Sequence, residues 1–151
     1  MYKDSPTEGA GLSLPVVGKM LEDSIGNLWI GTEGGGLNYF DRINKKFTWY
    51  KHKSISNCLS SNQIKSLYLD NQKNILWIGT HNGLNKFSLK DKKFTHFYHN
   101  ANDSNSLPSN IISDIIPYKG KLFISTYSGV CLFDPITHKV CLLYTSPSPR
   151  D

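Results

Sequence analysis

The pentapeptide Leu76-Trp77-Ile78-Gly79-Thr80 recurs almost unchanged at Leu28-Trp29-Ile30-Gly31-Thr32, and in degraded form at Leu122-Phe123-Ile124-Ser125-Thr126. Trp29 and Trp77 are 48 residues apart, and Trp77 and Phe123 are 46 apart. Each copy leads through a glycine into a second apolar run: Gly36-Leu37-Asn38-Tyr39-Phe40, Gly83-Leu84-Asn85-Lys86-Phe87 and Gly129-Val130-Cys131-Leu132-Phe133. A chain that repeats itself at this period folds as a stack of similar units, each covering the apolar face of the next.

The units read as strands. Their apolar segments are rich in Val, Ile, Tyr, Phe, Trp and Thr, and they lack the 3.6-residue period of helical repeats. In the second repeat, four strands are expected over 64–70, 75–80, 84–88 and 93–99, separated by turns rich in Asp, Asn, Gly and Lys. Four antiparallel strands joined by tight turns make one blade of a β-propeller. The runs Leu28-Trp29-Ile30 and Ile75-Leu76-Trp77-Ile78 do not alternate with polar residues, so both sheet faces must be covered, as they are when blades stack. Trp29, Trp77 and Phe123 are therefore expected as inter-blade core, with Gly31 and Gly79 admitting a close neighbour.

The expected fold class is all-β, a partial β-propeller of about three four-stranded antiparallel blades. The divisions are an N-terminal strand or linker over 1–13, blade one over 14–56, blade two over 57–106, and an incomplete blade three over 107–140. Residues 141–151, Cys-Leu-Leu-Tyr-Thr-Ser-Pro-Ser-Pro-Arg-Asp, break the pattern. Codon by codon they match one frame of a transposase adaptor used in sequencing libraries, and they are read as a non-native tail.

The net charge of +5 comes from scattered lysines in turns, without an Arg-rich stripe or an RNA-binding motif, so no nucleic acid is expected as a partner of this segment. The three cysteines, Cys58, Cys131 and Cys141, have no CxxC spacing and read as free thiols. No apolar stretch is long enough for a membrane helix, and the first residues lack a signal-peptide core. His96 and His99 fall on opposite faces of a strand and cannot clamp one metal; no metal and no cofactor is expected.

Between repeats lie polar connections with a shared Leu-Ser/Pro-Ser-Asn signature, at Leu59-Ser60-Ser61-Asn62 and Leu107-Pro108-Ser109-Asn110. That signature, the Asp23-Ser24-Ile25-Gly26-Asn27 turn, the Leu-Trp-Ile-Gly-Thr strand and the subsequent Gly-Leu-Asn resemble the two-component-regulator propeller repeat, over Leu12 to Val140. The third repeat departs from it at Phe123, Ser125 and Lys119-Gly120-Lys121. The resemblance implies the periplasmic sensor region of a Bacteroidetes hybrid two-component system, an inner-membrane receptor whose later parts include a histidine kinase. It further implies an oligosaccharide cut from a glycan as ligand, the remaining propeller blades of the parent chain as partners, and a homodimer in the parent. A structural or protein-interaction propeller is the alternative, and a glycan-active enzyme fragment a weaker one. The acidic residues sit mainly in turns and no repeat-specific Asp or Glu interrupts an inner strand, so no catalytic residue is expected.

With consecutive antiparallel strands, the connections between blades and the turns between second and third strands share one face. That face carries Glu33, His81, Asn82 and Tyr127, the planar and aromatic groups available for a sugar. The opposite face carries Asp23, Asp70, Arg42 and most of the turn lysines, and reads as solvated.

Overall fold

The computed structural model describes residues 8–145 and consists of three four-stranded antiparallel sheets. The first contains β1 (Val17–Glu22), β2 (Leu28–Thr32), β3 (Leu37–Asp41) and β4 (Lys46–Tyr50). The second contains β5 (Ile64–Asp70), β6 (Ile75–Thr80), β7 (Gly83–Ser88) and β8 (Lys93–Phe97). The third contains β9 (Ile112–Tyr118), β10 (Lys121–Thr126), β11 (Gly129–Phe133) and β12 (Val140–Thr145). Strands succeed one another in order across each sheet, which is the blade arrangement the repeats imply. Contacts between sheets run through first and second strands, β1 and β2 on β5, then β5 and β6 on β9, so the first strands lie at the narrow side of the fan.

β8 stops at Phe97 rather than running to His99. The His99 N–H leaves the ladder and donates to Asn110 Oδ1 at 2.6 Å, which turns the chain into the next connection. Residues 8–11 lie along the outer edge of the first sheet: the Trp49 N–H donates to Glu8 Oε2 at 2.8 Å and Trp49 Nε1 to the Gly11 carbonyl at 2.9 Å. The rest of the N-terminal segment, 1–7, falls outside the described residues. Cys141–Thr145, set apart from the repeats by their codons, pair with β11 as the end of β12. Strand pairing is made by backbone, so a β-prone Cys-Leu-Leu-Tyr-Thr run supplies a fourth strand whatever its coding origin.

Two cores lie between the sheets. Trp29, Leu37, Leu59, Ile64, Leu76, Ile78 and Phe87 fill the first gap. Trp77 joins Ile112, Ile115, Leu122, Ile124 and Phe133 in the second. A Cβ at Gly31 would lie 2.5 Å from Ile64 Cγ2, and one at Gly79 2.6 Å from Ile112 Cγ2, closer than carbon atoms tolerate. Both glycines thus let the first strand of the next blade approach. Phe123 stands apart from these cores: it is half-buried, 4.9 Å from the Tyr118 ring, and alternates away from Leu122 and Ile124, which face the second sheet.

The connection signature has a structural cause. Asn62 Oδ1 accepts the His52 N–H at 2.6 Å while its carbonyl accepts Gly34 N at 3.1 Å and Gly36 N at 2.9 Å, latching the connection onto the blade before it. Asn110 repeats this with His99 and Gly83. Within a blade, the Ser60 N–H donates to Asn85 Oδ1 at 3.0 Å and Asn85 Nδ2 donates to Ser60 Oγ at 2.6 Å; Ser13 and Asn38 do the same in the first sheet. In the third blade both partners change together, to Pro108, which has no N–H to give, and Cys131, which needs none. Burial, with the Cys141 thiol alongside, pushes the Cys131 thiol up to about 12, so it stays a neutral core group.

Asn85 is fully buried, so Asn85→Ala would leave the Ser60 N–H without its acceptor. We expect a loss of about 1–3 kcal/mol in urea unfolding of a sensor domain containing these blades. A change below about 0.5 kcal/mol would remove the pair from the stabilising contacts.

Candidate functional site

Glu33, His81 and Tyr127 occupy the same position in successive blades, one residue beyond the Thr that ends the second strand. Each is fixed by its own backbone: Glu33 N–H to the Val16 carbonyl at 2.9 Å, His81 to Gln63 at 3.1 Å and Tyr127 to Ile111 at 3.0 Å. The turns are built by threonine. Thr80 Oγ1 donates to the Gly83 carbonyl and accepts the Asn82 N–H, both at 2.9 Å, and Thr126 repeats the motif with Gly129 and Ser128. The side chains of Glu33, His81, Asn82 and Tyr127 are exposed, with Tyr127 at 76%. They project from one face on three neighbouring turns, and none lines any of the four main concavities of the described residues.

The largest of these concavities, about 430 Å³, opens between the second and third blades beside the turns that join first to second strands. This is the opposite face. Trp77 and Tyr68 come from the second blade, Pro117, Leu122 and Pro135 from the third, and the rim is made by the turns 70–73 and 119–121. One oxygen of the Asp70 carboxylate, Oδ1, serves its own turn, accepting the Gln72 N–H at 3.1 Å and the Lys73 N–H at 3.2 Å. Burial, together with the Asp70 charge, raises the Tyr68 phenol above its ordinary value, so it remains a protonated donor. Lys121 Nζ lies 4.0 Å from Asp134 Oδ2, whereas Lys119 Nζ sits 5.3 Å over the Tyr118 ring.

Repeat comparison explains why this gap is open and its neighbour closed. Between the first two blades the equivalent volume is filled by Tyr39, Leu69 and Leu89. One repeat later the same positions hold Lys86, Pro117 and Pro135. Tyr39 packs on Trp29, tilted, with ring centroids 4.4 Å apart, and its hydroxyl accepts Asn27 Nδ2 at 2.7 Å; opposite Trp77 there is only Lys86. Residue types alone put the ligand face on the repeated turn position and leave the lysine face solvated. The signal for the cleft is the loss of apolar fillers at fixed offsets, visible only when the repeats are laid over one another. Among the described residues, no three His, Cys, Asp or Glu side chains converge to hold a metal ion.

Blades carrying short, exposed turns on a repetitive core define a β-propeller scaffold. Residues 11–34 and 58–82 match the family described as two component regulator propeller. The extracellular domain of the putative hybrid two component system BT3049 from B. thetaiotaomicron is similar at 30% identity and a TM-score of 0.80, over 90% of this chain and 19% of that one. The extracellular domain of the putative hybrid two component system BT4673 from B. thetaiotaomicron shares the fold at 22% identity and TM-score 0.55, over 99% of this chain and 24% of that one. So does PorZ, a surface component of the type-IX secretion system of Porphyromonas gingivalis, at 13% and 0.67, over 91% and 22%. No curated protein matches the chain. The chain is a stretch of two-component regulator propeller repeats, spanning about a fifth of the length of these solved structures.

Proposed function

We propose that these blades belong to the extracytoplasmic, periplasmic sensor domain of a hybrid two-component histidine kinase and contribute to recognition of a glycan-derived oligosaccharide. The observation that carries the reading is the 30% identity, over 90% of the chain, to the extracellular domain of a putative hybrid two component system. In this reading the blades supply a rigid scaffold, their turns meet the ligand, and the remaining blades of the parent chain complete the ring. The parent is a homodimer anchored in the inner membrane, and the segment itself binds rather than catalyses.

The decisive test is the complete reading frame together with the binding behaviour of its propeller domain. A membrane helix with a kinase after it, and an oligosaccharide bound without being cleaved, are the expected results. A frame that encodes neither helix nor kinase would overturn the reading in favour of a structural or interaction propeller. Within the domain, His81→Ala and Tyr127→Ala each weaken binding if the repeated turn position meets the sugar. Unchanged affinity in both variants would remove that face from the site.

A further inference from the structure

We propose that the cleft between the second and third blades is a binding site for an anionic saccharide, a sugar unit bearing a carboxylate or sulfate. The proposal rests on the reading of the chain as part of a saccharide sensor, but it places the ligand on the face opposite Glu33, His81, Asn82 and Tyr127.

Three observations carry it. The volume, about 430 Å³, lies in the range of about 300–1,000 Å³ in which small molecules are held. The lining pairs flat apolar surface with hydrogen-bonding groups: Tyr68 offers a ring and a hydroxyl, Pro117 and Pro135 offer rigid faces, and Asn71 and Gln72 offer planar amides on the rim. A sugar has the matching character, with C–H faces and an equator of hydroxyls. The charge is one-sided: Lys121 is balanced by Asp134, which leaves Lys73 and Lys119 against Asp70. Asp70 already accepts two backbone N–H groups, and among the described residues neither Lys73 nor Lys119 has a carboxylate within 4.0 Å. A neutral sugar would leave Lys73 without an anion and Lys119 with only the Tyr118 ring, whereas an anionic one meets both as point charges at the mouth.

The cleft is also a departure from the repeat. Where the first gap is filled by Tyr39, Leu69 and Leu89, the second has two prolines that line the space and a lysine, paired with Trp77, that does not enter it. The two blades that form it are both present in this chain, so the site does not depend on further blades.

The test uses the sensor domain that contains these blades, with digalacturonic acid, a sulfated disaccharide and neutral cellobiose as probes in calorimetry. The anionic probes bind and cellobiose does not, and the tighter of the two anionic arms identifies the charged group. Lys73→Gln/Lys119→Gln keeps both stems, leaves the melting temperature unchanged and weakens anionic binding about tenfold or more. Raising salt from about 50 to 500 mM weakens wild-type binding and has little effect on the residual binding of the double variant. Hydrogen exchange slows over 68–73 and 117–121 when ligand is present. If a saccharide binds with equal affinity to the double variant, or protects only the turns at 33, 81 and 127, the cleft is not the site and the sensor reading stands. If the folded domain binds neither anionic probe, the proposal fails outright.

Discussion

Trp77→Ala is expected to destabilise the parent sensor domain by about 3–5 kcal/mol, the range for removing a large aromatic from a packed interior. Trp77 is 2% exposed and belongs to the core that joins the second blade to the third. Its ring lies 5.5 Å from Phe133 in edge contact and 6.2 Å from Phe97, so truncation removes aromatic partners from both sheets at once. The gap cannot close by sliding the blades together. Gly79 has already brought β6 up against the Ile112 side chain, and the latch from Asn110 to His99 and Gly83 fixes the connection. Trp77→Phe should cost only about 1–2 kcal/mol, since most of the apolar surface is kept. Urea midpoints recorded by circular dichroism measure both. A Trp77→Ala loss under about 1 kcal/mol would mean that the blades are held by their hydrogen-bonded connections rather than by the core between them.

Trp29 and Trp77 show how far residue type and period reach. A strand with apolar residues on both faces must be covered twice, and a glycine inside it marks where the cover comes close; neither deduction needs coordinates. The strands at 64–70 and 75–80 come from the same logic, because their bounding turns are chemically marked. Phe123 shows the limit. It occupies the tryptophan position of the third repeat, yet among the described residues its only ring partner is Tyr118 of its own sheet, because the cover over one repeat is supplied by the next blade along. β8 ends early for a similar reason: the His99 N–H finds its partner in a side chain of the next connection, which no strand propensity encodes. The cleft is the least legible feature. It is a volume lined by Pro117 and Pro135 and left unfilled by Lys86, and none of these alone signals a cleft.

Taken alone, the 151-residue chain is expected to self-associate in solution. Among the described residues, its two outermost sheets each present an uncovered face. Met20 and Val17 on β1 are 60% and 42% exposed, and Ile116 and Tyr118 on β9 are 54% and 45% exposed, with the half-buried Phe123 beside them. Met20 alternates with Leu21, which packs toward the second blade, and Ile116 alternates with Ile115, which does the same from the third. These side chains therefore point out of the fan, where a further blade would lie. The two faces differ, so the contact that covers both is head to tail: the first blade of one copy stacks on the third blade of another. Two three-bladed copies joined twice in this way make six blades, within the four to eight at which propellers close, and copies that fail to close propagate into larger aggregates. Sedimentation velocity across a concentration series should show a dimer or larger species growing with concentration. Ile116→Lys places a charge in the middle of one face and should shift that distribution toward monomer without weakening the two inter-blade cores, which it does not touch. A single monomeric species at all concentrations, melting in one sharp transition, would show that three blades satisfy their own edges and would remove the argument from stacked faces.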